Sequence, residues 1–561
     1  MVTRVNSPPR LTVVPESIGD RADRLDGWKQ IAVYLERGVR TVRRWEREEG
    51  LPVHRHVHRT LGSVYAFCPE IDAWQQRHRD LDRSSSPRRA RVGEASVRAP
   101  SIAVLSFVNL STDPENAYFA DGLADEIAVD LSRVSALRVV SRTSSATFKG
   151  SGKDAGTIAR ALGTRYLLEG SVGRSGGRLR VTAQLIDAGN DSQLWAETFD
   201  GVVEDVFAMQ ERIARVIASA LEVRLTTDED RRLGDRSIKD VHAYACYLRA
   251  RQQGWRWRKD AIDQAIQLLR NGLTIVGDNA RLYASLGVAH LQYREAGIDF
   301  GEAPLVEAEA CADKVFALGP ASAEGLQLRG WIHYARARIQ DAVRDLKAAL
   351  DLEPNDADTL LLLSNCYLIS GRVSTGRPLI ERLLVLDPLT PLTRCMPAWA
   401  AILEGDFEAA IVPYRQMLEM DPGNPMARLF FVWVLLLNSR ETEIASVLAS
   451  FPPELRDTVP ARVADLLMHG AGQALPLLPL SSDVEEAAVA SDVFARFLAA
   501  GYARAGAVEP AMRWLEVAVN RGFINHPFLA VVDPSLERLR QEPQFLRLMD
   551  KVQRRWECFE A

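Results

Sequence analysis

The sequence predicts a multidomain chain: a small basic unit of two helices and a β wing, an α/β middle domain on a mixed sheet, and a long all-α solenoid. Three observations predict it. The chain has 561 residues, which at about 150 residues per domain implies three or four domains. Its net charge of −5 is uneven: residues 1–100 carry 19 Lys and Arg against 13 Asp and Glu, or +6, and the remaining 461 carry −11. Pro320, Pro354, Pro388 and Pro422 recur every 34 residues, in the contexts ALGP, DLEP, VLDP and EMDP.

Composition excludes several classes. Forty-seven per cent apolar and 25% charged residues are ordinary for globular domains, so fibrous or wholly disordered structure is ruled out. Six cysteines are scattered singly with no C-x-x-C, which fits neither a disulfide framework nor a zinc module and points to a reducing compartment. The N-terminus shows no signal-peptide run, and LFFVWVLLL (429–437) is far short of the ~20 residues a membrane span needs. A cytoplasmic protein with no membrane partner is expected.

Residues 1–24 are Pro- and charge-rich and are expected to form a disordered tail. In residues 25–80, GWKQIAVYLE (27–36) puts Trp28, Ile31, Ala32 and Leu35 on one helix face. Gly38 suits the turn, and RTVRRWEREEG (40–50) makes a second helix with Val42 and Trp45 inward. Its outer faces carry Arg40, Thr41, Arg43, Arg44 and Arg47. LPVHRHVHRTLGSVYAFC (51–68) alternates about a Leu61-Gly62 turn, as a hairpin wing does, and displays His54, Arg55, His56 and Arg59. His54, His56 and His58 share one strand face; without cysteine or carboxylate at ligand spacing, a polar wing face is expected rather than a metal site. PEIDAWQQRHRD (69–80) opens a further helix.

GWKQIAVYLERGVRTVRRWEREEGLPVHR, GSVYAF and EIDAW resemble the MerR/excisionase-type winged helix-turn-helix family over residues 25–77. The resemblance implies that Arg40–Arg47 form a recognition helix for double-stranded DNA and that the wing at 53–67 touches backbone. The arginines would neutralise phosphates and contact guanine. Residues 81–100, Ser- and Arg-rich with no apolar period, form a linker.

In residues 101–228, SIAVLSFVNL (101–110) reads as a buried strand, AYFADGLADEIAVDLSRV (117–134) as a helix and LRVVS (137–141) as a strand. A loop and helix TIARALG (157–163) lead to three alternating strands at 164–174, 178–188 and 193–200, then to an amphipathic helix (206–225). The order argues for a small mixed sheet covered by helices. Lys149–Lys153 fails the phosphate-loop pattern at two positions, and the segment 101–225 holds neither His nor Cys for a nucleophile–base set. Asp113, Glu115, Asp121, Asp125 and Glu126 are expected to cap and solvate helix starts rather than form a catalytic pair. IAVLSFVNLSTDPENAYFADGLADEI, RVVSRTSSATFKG, IARALGTRYLLEGSV and LWAETFD resemble the TolB amino-terminal-like domain, which implies a non-enzymatic sensing or assembly role.

TTDEDRRLGDRSIKD (226–240) reads as a polar hinge, and residues 240–561 are helical in pattern. A 34-residue period closing each helix pair with Pro is the signature of the tetratricopeptide repeat, of which about six or seven are expected. Leu326, Gly330, Ala342 and Ala349 take the packing positions of one repeat, and REAGIDFGEAPLV (294–306) is an insertion in an earlier one. Such a solenoid offers an inner groove for a protein or peptide partner.

These readings combine into an expected non-enzymatic transcription regulator with no cofactor. Its head binds DNA as a homodimer on two half-sites, and its solenoid receives a protein. The competing class is an interaction scaffold without functional DNA binding.

Overall fold

The computed structural model describes residues 24–34, 46, 51–56, 63–71, 99–111, 117–234, 237–254, 258–319, 321–469 and 480–560. Two compact units, Met1–Val97 and Arg98–Ala561, are taken separately.

In the first unit, β1 (Arg24–Asp26) leads into α1 (Gly27–Tyr34), and β2 (His54–His56) and β3 (Ser63–Phe67) complete an antiparallel sheet in the order β1-β3-β2. The hairpin register pairs His54 with Tyr65 and His56 with Ser63. The pairing of β1 with β3 goes beyond the expected hairpin; it brings the approach to α1 into the sheet. Ile31, Leu51, Ala66 and Ile71 are buried together, with Leu25, Trp28 and Val53 packed around them. A core this small offers little apolar area, so pattern and turn chemistry matter more here than in the body.

The second unit opens with the sheet β6-β4-β7-β8-β9. Strand β4 (Ser101–Val104) runs parallel to β6 (Arg138–Val139) and to β7 (Tyr166–Ser175), and the short β5 (Val108–Asn109) also joins β7. Strands β8 (Arg178–Asp187) and β9 (Ser192–Val202) then continue antiparallel. The mixed sheet follows from its connections: helical crossovers α2 (Ala117–Ser132) and α4 (Ala155–Leu162) make parallel neighbours, and tight turns at 176–177 and 188–191 make antiparallel ones. Between the two crossovers, α3 (Arg142–Ala146) is capped by Ser141, whose side chain accepts from Ser144 N. One sheet face packs on α4 through Ile158 and Leu162. The other packs on α2 and α5 (Val206–Ala220).

The expected hinge at 226–240 contains a helix, α6 (Thr227–Gly234). Its cause is a reciprocal cap: Glu229 N lies 3.2 Å from Thr226 Oγ1 and Thr226 N lies 2.8 Å from Glu229 Oε2.

Helix pairs follow: α7 (Val241–Gly254) with α8 (Lys259–Val276), α9 (Ala280–Glu295) with α10 (Ala303–Leu318), α11 (Ala323–Ala335) with α12 (Ile339–Leu352), and α13 (Ala357–Ile369) with α14 (Val373–Leu386). Then come α15 (Pro391–Leu403) with α16 (Ile411–Met420) and α17 (Pro425–Leu437) with α18 (Glu441–Ala449). The first helices at 323, 357, 391 and 425 start 34 residues apart, matching the sequence period. The turns within these pairs place a left-handed residue at the same interval: Ala337 (φ 60°), Gly371 (φ 70°), Gly405 (φ 93°) and Ser439 (φ 55°). The period then loosens through α19 (Val459–His469) and α20 (Ser482–Ala490). It recovers in α21 (Asp492–Arg504) and α22 (Val508–Asn520), and α23 (Pro543–Glu557) caps the array.

Gly330 shows why small residues occupy the pair contacts. A Cβ there would lie 2.8 Å from Leu346 Cγ, closer than carbon atoms approach.

Besides the small core under α4, two large hydrophobic cores run through this unit. One joins the middle domain to the first repeats, from Ile102 to Ile332; the other runs from Ile339 to Phe559. No described helix is long and apolar enough to cross a membrane.

Candidate functional site

The packing between repeats differs along the array. In the later repeats it is aromatic. Trp399 on α15 and Trp433 on α17 lie edge to face at 5.7 Å, and Phe497, Phe523 and Phe528 from the C-terminal repeat and its cap close over them. Arg496 sits in this aromatic nest, 4.3 Å from the Phe523 ring and 5.2 Å from that of Trp399, with Asp492 at 3.5 Å. The end of the chain is tied to the middle of the array: Ile524 N donates to Ile369 O at 3.0 Å, and Arg372 Nη2 donates to the carbonyls of Trp556 and Phe559 at 2.6 and 2.9 Å. Along this stretch the described aromatic side chains of separate repeats pack on one another. The sequence sign was present but mute, since nothing in the aromatic spacing says which repeats meet.

The earlier repeats are different. Here α2 of the middle domain lies against α7, reaches Arg281 of α9 through Glu126, and presents a row of carboxylates. Asp121, Asp125, Glu126 and Asp130 are all buried, so the expectation that such residues only cap and solvate helix starts fails for these. Each finds a cation. Lys149 reaches Asp121 at 2.6 Å, Arg142 reaches Asp125 at 2.5 Å, and Arg133 reaches Asp130 at 3.4 Å. Glu126 takes Arg251 and Arg281 at 2.9 Å each, with Tyr247 OH at 3.3 Å. Burial pushes the Asp125 carboxyl up to about 6 despite Arg142. Asp113 and Glu115 lie outside the described residues.

Beside this network lies a cavity of about 240 Å³. Its walls combine Val129 of α2 with Tyr247, Arg251, Arg281, Gln292, Trp331 and the carboxylates Glu324, Glu353, Asp356 and Asp358. Glu353 holds Arg133 Nε at 3.0 Å; burial, then the neighbouring Glu324, push it up to about 7. Asp356 caps α13, accepting from Thr359 N, and takes Gln327 Nε2, both at 2.7 Å. A broader hollow of about 380 Å³ lies beside the insertion, lined by Lys259, His290, Tyr293 and Glu307. Its lysine is already paired with Asp263 at 2.9 Å, which makes the charged cavity the better-built site.

The middle domain is bolted to the array elsewhere too. Asp387, buried, accepts from the Ser141 and Ser144 hydroxyls, the latter at 2.7 Å, and from Thr390 and Thr393 at 2.8 and 2.7 Å. Ser141 N also donates to Leu386 O at 2.7 Å.

In the head, Arg40, Thr41, Arg43, Arg44, Arg47 and Arg59 lie outside the described residues, and Arg55 and His56 are described by backbone alone. His54 is described in full. Its Nε2 lies 2.5 Å from Glu70 Oε2, and its ring stacks on Tyr65 at 5.2 Å. Glu70 is a carboxylate that spacing alone did not bring to the histidine; the hairpin and the following turn do. Among the described residues no cluster of three or more His, Cys, Asp or Glu could hold a metal ion.

No family model matches the sequence. A curated relative, named "Putative adenylate cyclase 3" in Rhizobium meliloti (strain 1021), is 43% identical over 192 residues, 34% of this chain and 33% of the relative. The chain thus spans about a third of the relative's length. That enzyme name, on a segment 43% identical, overturns the expectation of a non-enzymatic chain, which rested on the lack of a recognisable nucleophile, metal set or phosphate loop in the sequence. Solved structures aligned to the chain include a thermophilic tetratricopeptide repeat protein of Thermus thermophilus (18% identity, 35% of this chain, 99% of that one, TM-score 0.29). A tetratricopeptide repeat protein of Parabacteroides merdae (13%, 49%, 99%, TM-score 0.31) and yeast Tom70 (13%, 63%, 80%, TM-score 0.29) also align. At such TM-scores the superpositions add no weight; the solenoid stands on the chain's own paired helices and 34-residue spacing.

Proposed function

We propose that the chain is a DNA-binding signalling regulator, in which the basic head takes double-stranded DNA and the repeat body receives a protein partner. The observation that carries the first half is the folded hairpin of β2 and β3 against the Ile31 core, where the winged resemblance requires a wing, in a segment of net charge +6. The body supports the second half: its paired helices at 34-residue spacing are those of a repeat array suited to a protein segment, and its −11 charge disfavours non-specific contact with phosphate. Two half-sites on a duplex would require a homodimer. All six cysteines are free, which supports a reducing, cytoplasmic setting.

Fluorescence anisotropy of the full chain on a duplex, titrated across salt, tests the DNA reading. The double variant Arg43→Ala/Arg44→Ala is expected to weaken binding on all sequences and to reduce the salt slope by about 2. An unchanged slope sinks the reading.

A second reading follows from the relative's name: formation of cyclic AMP and pyrophosphate from ATP. Incubating the full chain with ATP and Mg²⁺ or Mn²⁺ decides it. Cyclic AMP above the protein-free blank supports this activity, and its absence overturns it.

A further inference from the structure

The sheet of the middle domain ends on a long edge strand. In the order β6-β4-β7-β8-β9, one edge is β6, only Arg138–Val139, and the other is β9, Ser192–Val202. An edge strand turns alternate N–H and C=O groups away from its neighbour, and native edges are blunted by proline, lysine, short length or a cover. Strand β9 carries neither proline nor lysine in its 11 residues. Its carboxylates are answered within the chain: Arg180 holds Asp200 at 2.6 Å, and Arg212 holds Glu197. Two large apolar side chains stand exposed on it, Leu194 at 45% and Val202 at 46%.

The hydrogen bonds at the end of the strand tell which groups face outwards. Val203 N donates to Gly177 O at 3.0 Å, on the β8 side, whereas Val202 N turns away and donates to Asp205 Oδ2 at 2.9 Å. By the alternation of an antiparallel ladder, Asp200, Thr198 and Ala196 also direct their main-chain groups away from β8. Asp205 closes this row at Val202, and the bulge between Gln193 and Trp195 closes it at the other end.

A row centred on Thr198 is complementary to itself. A second copy laid antiparallel about that residue sets Thr198 against Thr198, Ala196 against Asp200 and Leu194 against Val202. Each exposed apolar side chain then meets another, Glu197 falls opposite Phe199, and no carboxylate opposes a carboxylate. Centring on Glu197 or on Asp200 would oppose like charges, and centring on Phe199 would set Leu194 against Glu204.

We propose that β9 is a homodimer surface, at which two copies of the chain join their sheets edge to edge about Thr198 through about six main-chain hydrogen bonds. The pairing goes beyond the DNA reading and stands on the sheet alone.

Sedimentation velocity of the full chain without DNA, over roughly 1–100 μM, tests it. A monomer–dimer equilibrium is expected. Thr198→Lys and Thr198→Asp each bring like charges together across the pair and should weaken self-association by about tenfold or more. Mixed, the two variants bring opposite charges together and should form a heterodimer, which misfolded variants would not do. Thr198→Pro removes an outward N–H while sparing the β8 ladder, and it too should stay monomeric. The proposal falls if the parent chain is monomeric throughout, if the variants dimerise as the parent does, or if mixing restores nothing. Arg43→Ala/Arg44→Ala is expected to leave the dimer intact, so loss of DNA binding and loss of pairing are read separately.

Discussion

The two ends of one solenoid treat the same surface in opposite ways. Around Trp399, Trp433, Phe497 and Phe523 the packing is buried, aromatic and shared with the chain's own last repeat. Around Glu126, Arg251, Arg281 and Glu353 it is charged, and a cavity survives beside a helix borrowed from the middle domain. Repeat geometry is common to both. The difference lies in the side chains brought together: aromatic rings pack on one another at the later repeats, whereas a cavity lies beside the ion pairs of the earlier ones.

The contrast can be broken at its strongest point first. Trp433→Ala, in the closed half, should cost about 3–5 kcal/mol through lost burial and a cavity, read as a fall in the thermal midpoint. Glu126→Gln leaves Arg251 and Arg281 sharing a neutral amide; a loss of about 3 kcal/mol is expected. A loss below about 1 kcal/mol would mean the charged half is already wet enough to spare its ion pairs. Ser144→Ala removes one hydroxyl from the buried Asp387 and should cost about 1–2 kcal/mol in denaturant unfolding.

The pH dependence separates the halves more finely. Glu353 and Asp125 have folded values near 7 and 6, raised above those of an unfolded chain, so the folded body holds their protons more tightly. Their contribution therefore disfavours folding above neutrality and is relieved as pH falls from about 8 towards 5. Glu353→Gln should flatten this slope by about 1 kcal/mol over that range, seen in thermal midpoints against pH. A parallel pair of curves would remove Glu353 from the account. The smallest effect is expected at Ala337, whose φ of 60° suits glycine: Ala337→Gly should change stability by no more than about 1 kcal/mol, in the stabilising direction.

Legibility followed the range of the interactions. The 34-residue prolines announced the helix pairs, because each pair is a local unit whose packing depends on its own small residues, such as Gly330 against Leu346. The alternation over 164–200 announced three successive strands for the same reason, found at 166–175, 178–187 and 192–202. The helix at 227–234 was also legible, in the Thr226 to Glu229 spacing, but the polar composition around it masked the cap. The cavity was not legible. Glu126 lies 125 residues from Arg251 and 155 from Arg281, and no spacing rule spans such distances.

The sequence by itself therefore determined the kinds of element, their order, and the charge division of +6 and −11. Tertiary structure alone decided that the array would close on its own C-terminal repeat, that α2 would be buried by its acidic face, and that a gap would remain between them. Periodicity is written in neighbouring residues and reports how a segment buries itself. Which groove a buried charge will meet depends on the accumulated turn of many repeats, a quantity no local pattern carries.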